Sequence, residues 1–159
     1  MGTEKVKFKL ELYATMWDKP PHAEILINNQ RHFDGAISGT IDKPNIIEFE
    51  DDLEEGGHNL IINRSGKSKG QTVITDNGDI LKDQLLHIKG IEIDEIDLGA
   101  LVYHGVYTPQ YPEPWASQQH ESGVSLQESF RNVTVIGHDG EWRFSFASPF
   151  YTWLLENLY

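Results

Sequence analysis

The sequence predicts an all-β, jelly-roll-like β-sandwich with a short C-terminal helix. Three observations carry this. Short runs of β-branched and aromatic residues recur, with turn residues about every eight to twelve positions. Strands and helical patterns do not alternate, which argues against a parallel α/β sheet. One helical pattern stands alone, near Tyr159.

The elements follow in order. Lys5–Ala14 alternates strictly, with Val6, Phe8, Leu10 and Leu12 on one face and Lys5, Lys7, Lys9 and Glu11 on the other. Period two over that length means a half-buried strand. Asp18-Lys19-Pro20-Pro21 ends it, because prolines cannot join a ladder. His22–Asn28 is a second strand, stopped by the amide turn Asn28-Asn29-Gln30, and Arg31–Ser38 is its hairpin return. Asn45–Glu50 is a third strand, Asp51–Gly57 an acidic turn and His58–Asn63 a fourth strand. Arg64–Gly70 is basic and reads as loop.

Thr72–Thr75 is strand-like, and Asp76-Asn77-Gly78-Asp79 holds the Asn-Gly pair favoured in tight hairpin turns. Leu85–Ile88 and Ile91–Ile96 read as two strands interrupted at Lys89-Gly90. Leu98–His120 is a long excursion rich in aromatic residues and stiffened by Pro109, Pro112 and Pro114. Loops of that length usually carry function or an interface. Pro114–His120 has room for one or two helical turns. Asn132–Gly137 and Glu141–Phe146 flank His138-Asp139-Gly140, a hairpin signal. Trp142, Phe144 and Phe146 share a face and read as core. Ser148 at the N-cap and Pro149 behind it start a helix over Phe150–Asn157. Residues 1–159 thus form one sandwich domain, with an aromatic, proline-rich extension at about 99–120.

Composition narrows the function. There is no cysteine, which removes disulfides, thiolate metal sites and thiol nucleophiles together. A net charge of −12 disfavours binding to a phosphate backbone, where Lys and Arg supply the affinity. No apolar run approaches the ~20 residues that span a bilayer, and the charged start MGTEKVKFKLEL is unlike a signal peptide. The sequence has no G-x-S-x-G elbow, phosphate loop or dinucleotide fingerprint, so no catalytic residue is expected. The seven histidines, at 22, 32, 58, 87, 104, 120 and 138, show no zinc spacing.

Two constellations remain. Asp76, Asn77, Asp79 and Asp83 place four hard oxygen donors within eight residues, part of what a calcium ion needs. A hairpin with solvated carboxylates would look the same. Tyr103, Tyr107, Tyr111 and Trp115 fall within thirteen residues. Their flat apolar faces and polar edges suit sugar rings or a protein partner. An aromatic plug closing one end of the sandwich would also account for them.

The order Gly57-His58-Asn59-Leu60-Ile61-Ile62, a polar loop with Asp, Asp83-Gln84-Leu85-Leu86-His87-Ile88 and Ile91-Glu92-Ile93-Asp94 resembles calcium-dependent, xylan-binding carbohydrate-binding modules. The resemblance spans about residues 5–98. It implies a jelly roll that holds a sugar diol through calcium in a loop, and it points to Asp76, Asp79 and Asp83 as the metal ligands. The chain departs from those modules in lacking the cysteine bridge many carry and in adding the aromatic extension. From Gly70 to Tyr159, through EIDEIDLGALVYHGVYTPQYPEPW and GHDGEWRFSFASPFYTWLLENLY, it also resembles uncharacterised virion-associated proteins of marine tailed phages. That likeness implies folding in a host cytoplasm.

The expected function is therefore a non-catalytic, calcium-assisted carbohydrate-binding module on a virion. Its ligand would be a polysaccharide or other glycan held by Tyr103, Tyr107, Tyr111 and Trp115. Nucleic acid and membrane are not expected partners. The alternative is a phage structural or assembly protein whose aromatic loop meets virion proteins or a second copy of the chain.

Overall fold

The alternation that opens the chain sets the architecture. In the computed structural model, which describes residues 3–15, 19–66, 73–74, 80–82, 84–111 and 115–158, strand β1 covers Thr3–Thr15. It buries Val6, Phe8, Leu10 and Leu12 and turns its lysines outward. Then come β2 (His22–Ile27), β3 (Gln30–Ala36), β4 (Asn45–Glu54), β5 (Gly56–Ser65), β6 (Val73–Ile74) and β7 (Ile80–Lys82). β8 (Leu85–Ile93) and β9 (Ile96–Asp97) precede a 3-10 helix over Gly99–His104 and β10 (Val106–Pro109). The chain closes with α1 (Trp115–Glu121), β11 (Phe130–Arg131), β12 (Val135–Ile136), β13 (Gly140–Ser148) and α2 (Phe150–Leu158).

These strands form two antiparallel sheets, a β-sandwich as the sequence predicts. The first runs β12-β8-β1-β4 with β9 beside β8, and the second runs β11-β10-β13-β5-β2-β3. Among the described residues, β6 and β7 pair only with each other. Inward residues of both sheets meet in one core, including Phe8, Leu10, Ile25, Leu60, Ile62, Leu86, Trp142 and Phe144. Each such side chain contributes roughly 1.5–3 kcal/mol by leaving water.

Leu85–Ile93 is one strand, not the two expected. Glu11 lies opposite Gly90 and Leu12 opposite Ile88, so Lys89 is an extra residue in a bulge. The core residues before it, Leu86 and Ile88, have even numbers, and those after it, Ile91 and Ile93, have odd ones. An inserted residue is what keeps both sets on the core face.

The acidic run Asp51–Glu54 belongs to β4 and is not a turn. Leu53 continues the inward series, whereas Asp51 interrupts its apolar character. Asp51 is paired instead: His32, the bulged residue of β3, meets it at 2.9 Å and stacks on Phe49 at 4.4 Å between ring centres. This contact joins the edge strands of the two sheets.

The His138-Asp139-Gly140 stretch does not make a hairpin. β12 pairs with β8 in the first sheet, while β13 pairs with β5 and β10 in the second. The segment is a crossing between sheets. Gly140 has φ +155° there, and a Cβ would fall 2.4 Å from the Thr108 carbonyl oxygen, so only glycine fits.

Helix α2 starts where the sequence places it, but its N-terminus is capped from a distance. Phe150 N–H donates to Glu4 Oε2 at 3.0 Å, and the Ser148 hydroxyl donates to the same carboxylate. A carboxylate satisfies the free amides of a helix start and suits its dipole.

Candidate functional site

One end of the sandwich gathers most of the chemistry. It is built on Arg64, which the sequence reading leaves in a basic loop. Arg64 is the next inward position of β5 after Leu60 and Ile62, and it is 2% exposed. Its Nη1 donates to the Ile136 carbonyl at 2.6 Å, and its Nη2 donates to the Gln84 carbonyl at 2.8 Å and to the Gln84 side-chain oxygen. Its Nε lies 3.9 Å from the Asp139 carboxylate. Gln84, fully buried, donates from Nε2 to the Lys19 carbonyl at 2.7 Å. One guanidinium therefore ties β5, the entry to β8, the end of β12 and the sheet crossing together. Planar, five-donor geometry makes Arg the residue for such a junction.

The aromatic residues divide among three roles. Tyr107 on β10 is 5% exposed, so its ring is core and not a free stacking face. Its hydroxyl donates to the His138 carbonyl at 2.6 Å and accepts from the His138 amide at 2.9 Å. Burial pushes the phenol up to about 12, against smaller opposing effects of the His138 hydrogen bond and the Arg64 charge. Tyr107 thus positions His138. Tyr103, in the 3-10 helix, is 46% exposed and makes no ring contact with the other three.

Tyr111, Trp115 and His138 come together. Tyr111 is 5.9 Å from Trp115 and 5.4 Å edge-on to His138, and Trp115 lies near-parallel to His138 at 6.3 Å. The Tyr111 hydroxyl donates to the Gln127 carbonyl at 2.5 Å, which pins the segment after α1. Burial raises the Tyr111 phenol as well. Trp115 remains 39% exposed. The result is an amphipathic aromatic cluster with an open indole.

The proposed metal ligands Asp76, Asp79 and Asp83, with Asn77, lie outside the described residues. In the chain, Asp76 and Asp79 fall between β6 and β7, and Asp83 falls between β7 and Gln84. Arg64 binds Gln84 and stands beside Asp139, the neighbour of His138. Gln84, the residue after Asp83, and the aromatic cluster therefore share one end of the sandwich. Among the described residues, no group of three or more His, Asp or Glu side chains is placed to hold a metal. Asp76, Asp79, Asp83 and Asn77 nevertheless offer only hard oxygen donors, a set whose chemistry fits calcium.

The sequence reading missed Arg64, Gln84, His138 and Asp139. Arg64 had a signal: period two from Leu60 and Ile62 points it inward. The other three carry none, because each acts through partners far away along the chain.

Comparison with solved structures bears on the fold. The chain is similar to the selenomethionine form of vCBM60, from work on a circular permutation linking two families of calcium-dependent carbohydrate binding modules. The TM-score is 0.54 over 87% of this chain and 89% of that one, at 7% identity. A second structure, vCBM60 in complex with galactobiose, gives 0.49 over 87% and 96%, also at 7% identity. The likeness is one of fold. No family model and no curated protein matches the sequence.

Proposed function

We propose that this chain is a non-catalytic carbohydrate-binding module whose glycan sits at the end of the sandwich formed by Tyr111, Trp115 and His138. The observation that carries the reading is the open indole of Trp115, held beside His138 and Tyr111. A flat apolar face with polar groups around it matches a sugar ring, which has an apolar C–H face and a hydroxyl rim. The shared sandwich fold of vCBM60 supports the reading. In this account Asp76, Asp79 and Asp83 would hold calcium, which would supply positive charge toward sugar hydroxyls. The chain's own part is to orient the ligand: Tyr107 fixes His138, and Arg64 holds Gln84, the residue after Asp83. On this account the protein folds in a host cytoplasm and serves on a virion.

A second reading has an observation in its favour. Tyr103 is exposed and stands apart from the aromatic cluster, as a contact for a virion protein or a second copy would. A glycan array with calcium, and again with a chelator, separates the two. The carbohydrate reading expects binding that the chelator weakens. No signal on any glycan in calcium contradicts it and leaves the assembly reading.

A further inference from the structure

A row of side chains crosses the outer face of the first sheet. Tyr13 on β1 lies opposite His87 on β8, and His87 lies opposite Val135 on β12. Their sequence neighbours Leu12, Leu86 and Ile136 are fully buried, so the row points away from the core. The Tyr13 and His87 rings stack with centres 4.3 Å apart and planes 3° from parallel. His87 Nε2 is 2.8 Å from Thr15 Oγ1, which fixes the imidazole's orientation. Val135 is 41% exposed.

The rest of this face has a different character. Lys5, Lys7 and Lys9 stand opposite Asp52, Glu50 and Glu48, with Glu92 on the other side. Two pairs close, Lys5–Glu50 at 3.9 Å and Lys9–Glu92 at 3.4 Å. A solvated face needs no more than such polar residues. The change to aromatic and apolar residues occurs only toward the end that carries the Tyr111–Trp115–His138 cluster. Val135 is three residues from His138, so their Cα atoms lie within roughly 11 Å. His87 is three residues from Gln84, the residue held by Arg64.

We propose that Tyr13 and His87 form a second contact station for the same glycan, so that the ligand is a polysaccharide chain gripped at two places. This rests on the carbohydrate reading above. The upright stack presents ring edges with a phenol hydroxyl and an imidazole, and Val135 extends the apolar surface. That mixture suits a sugar's C–H face and hydroxyls, and Val135, three residues from His138, sets the row toward the end that carries Trp115.

The test uses chain length. Electrophoresis through gels containing soluble polysaccharides first identifies one that retards the wild-type protein. Calorimetry then measures binding of its di- to hexasaccharides. Wild-type affinity is expected to rise with length, and Tyr13→Ala is expected to remove about tenfold of that rise, or ~1.4 kcal/mol. Val135→Glu, at an exposed position, gives the same readout should Tyr13→Ala not fold. Trp115→Ala weakens every length. If neither row variant alters the length dependence, Tyr13 and His87 are only a stabilising cross-strand pair. The proposal then falls while the carbohydrate reading stands. If no polysaccharide retards the protein, both fall.

Discussion

Arg64 donates two hydrogen bonds to Gln84, one to its backbone and one to its side chain, and thereby joins the second sheet to the first beneath the aromatic cluster. Removing the guanidinium leaves the carbonyls of Gln84 and Ile136 buried without this donor. Arg64→Met is expected to cost about 3 kcal/mol, because breaking a buried charged network strands its partners. Urea unfolding followed by circular dichroism measures it. A cost within 0.5 kcal/mol of zero, the range of ordinary surface substitutions (about ±0.5 kcal/mol), would show that the junction does not matter.

Tyr107→Phe tests whether the phenol positions His138. The variant keeps the buried ring and loses two hydrogen bonds to the His138 backbone. A loss of about 1–3 kcal/mol is expected. Alkaline titration gives a second check. The folded phenol is raised to about 12 while the unfolded one titrates near 10, so the unfolded chain gives up its proton first. This group's contribution is complete below pH 10 and fades as pH rises toward 12. Tyr107→Phe should flatten the wild-type decline in stability across that window.

His87 supplies an acid-side prediction. Burial lowers its pKa below the ordinary 6.5, so the unfolded chain binds the proton more readily than the folded one. Stability from this group is complete above pH 6.5 and declines as pH falls through the lowered folded value. Melting temperatures of wild type and His87→Gln between pH 8 and pH 4.5 check it. The wild type should lose more over that range than the variant, and equal losses would contradict the assignment.

The fold was largely legible because period-two alternation is local. The β1 face Val6, Phe8, Leu10 and Leu12 and the run Trp142, Phe144 and Phe146 are buried as read. What was not legible depended on long-range partners. Lys89 reads as a break, and only pairing with β1 reveals a bulge. Asp51 makes β4 look like a turn until His32 is placed beside it. Asp139-Gly140 signals a hairpin, but Tyr107 and Thr108 make it a sheet crossing. Of the four aromatic residues, spacing alone did not distinguish buried Tyr107 from exposed Trp115 and Tyr103. Only Tyr111 and Trp115 join a cluster, and they do so through His138.

The most direct measurement is electrophoretic retardation in polysaccharide gels, comparing wild type and Trp115→Ala with calcium or with chelator. Trp115 is 39% exposed and packs on Tyr111 and His138, so its truncation should lower the melting temperature but leave the protein folded, which thermal unfolding checks. The account predicts retardation of the wild type in calcium, weaker retardation with chelator, and a loss of tenfold or more in affinity for Trp115→Ala, about 1.4 kcal/mol. Equal retardation of a folded Trp115→Ala would contradict the placement of the glycan at this end.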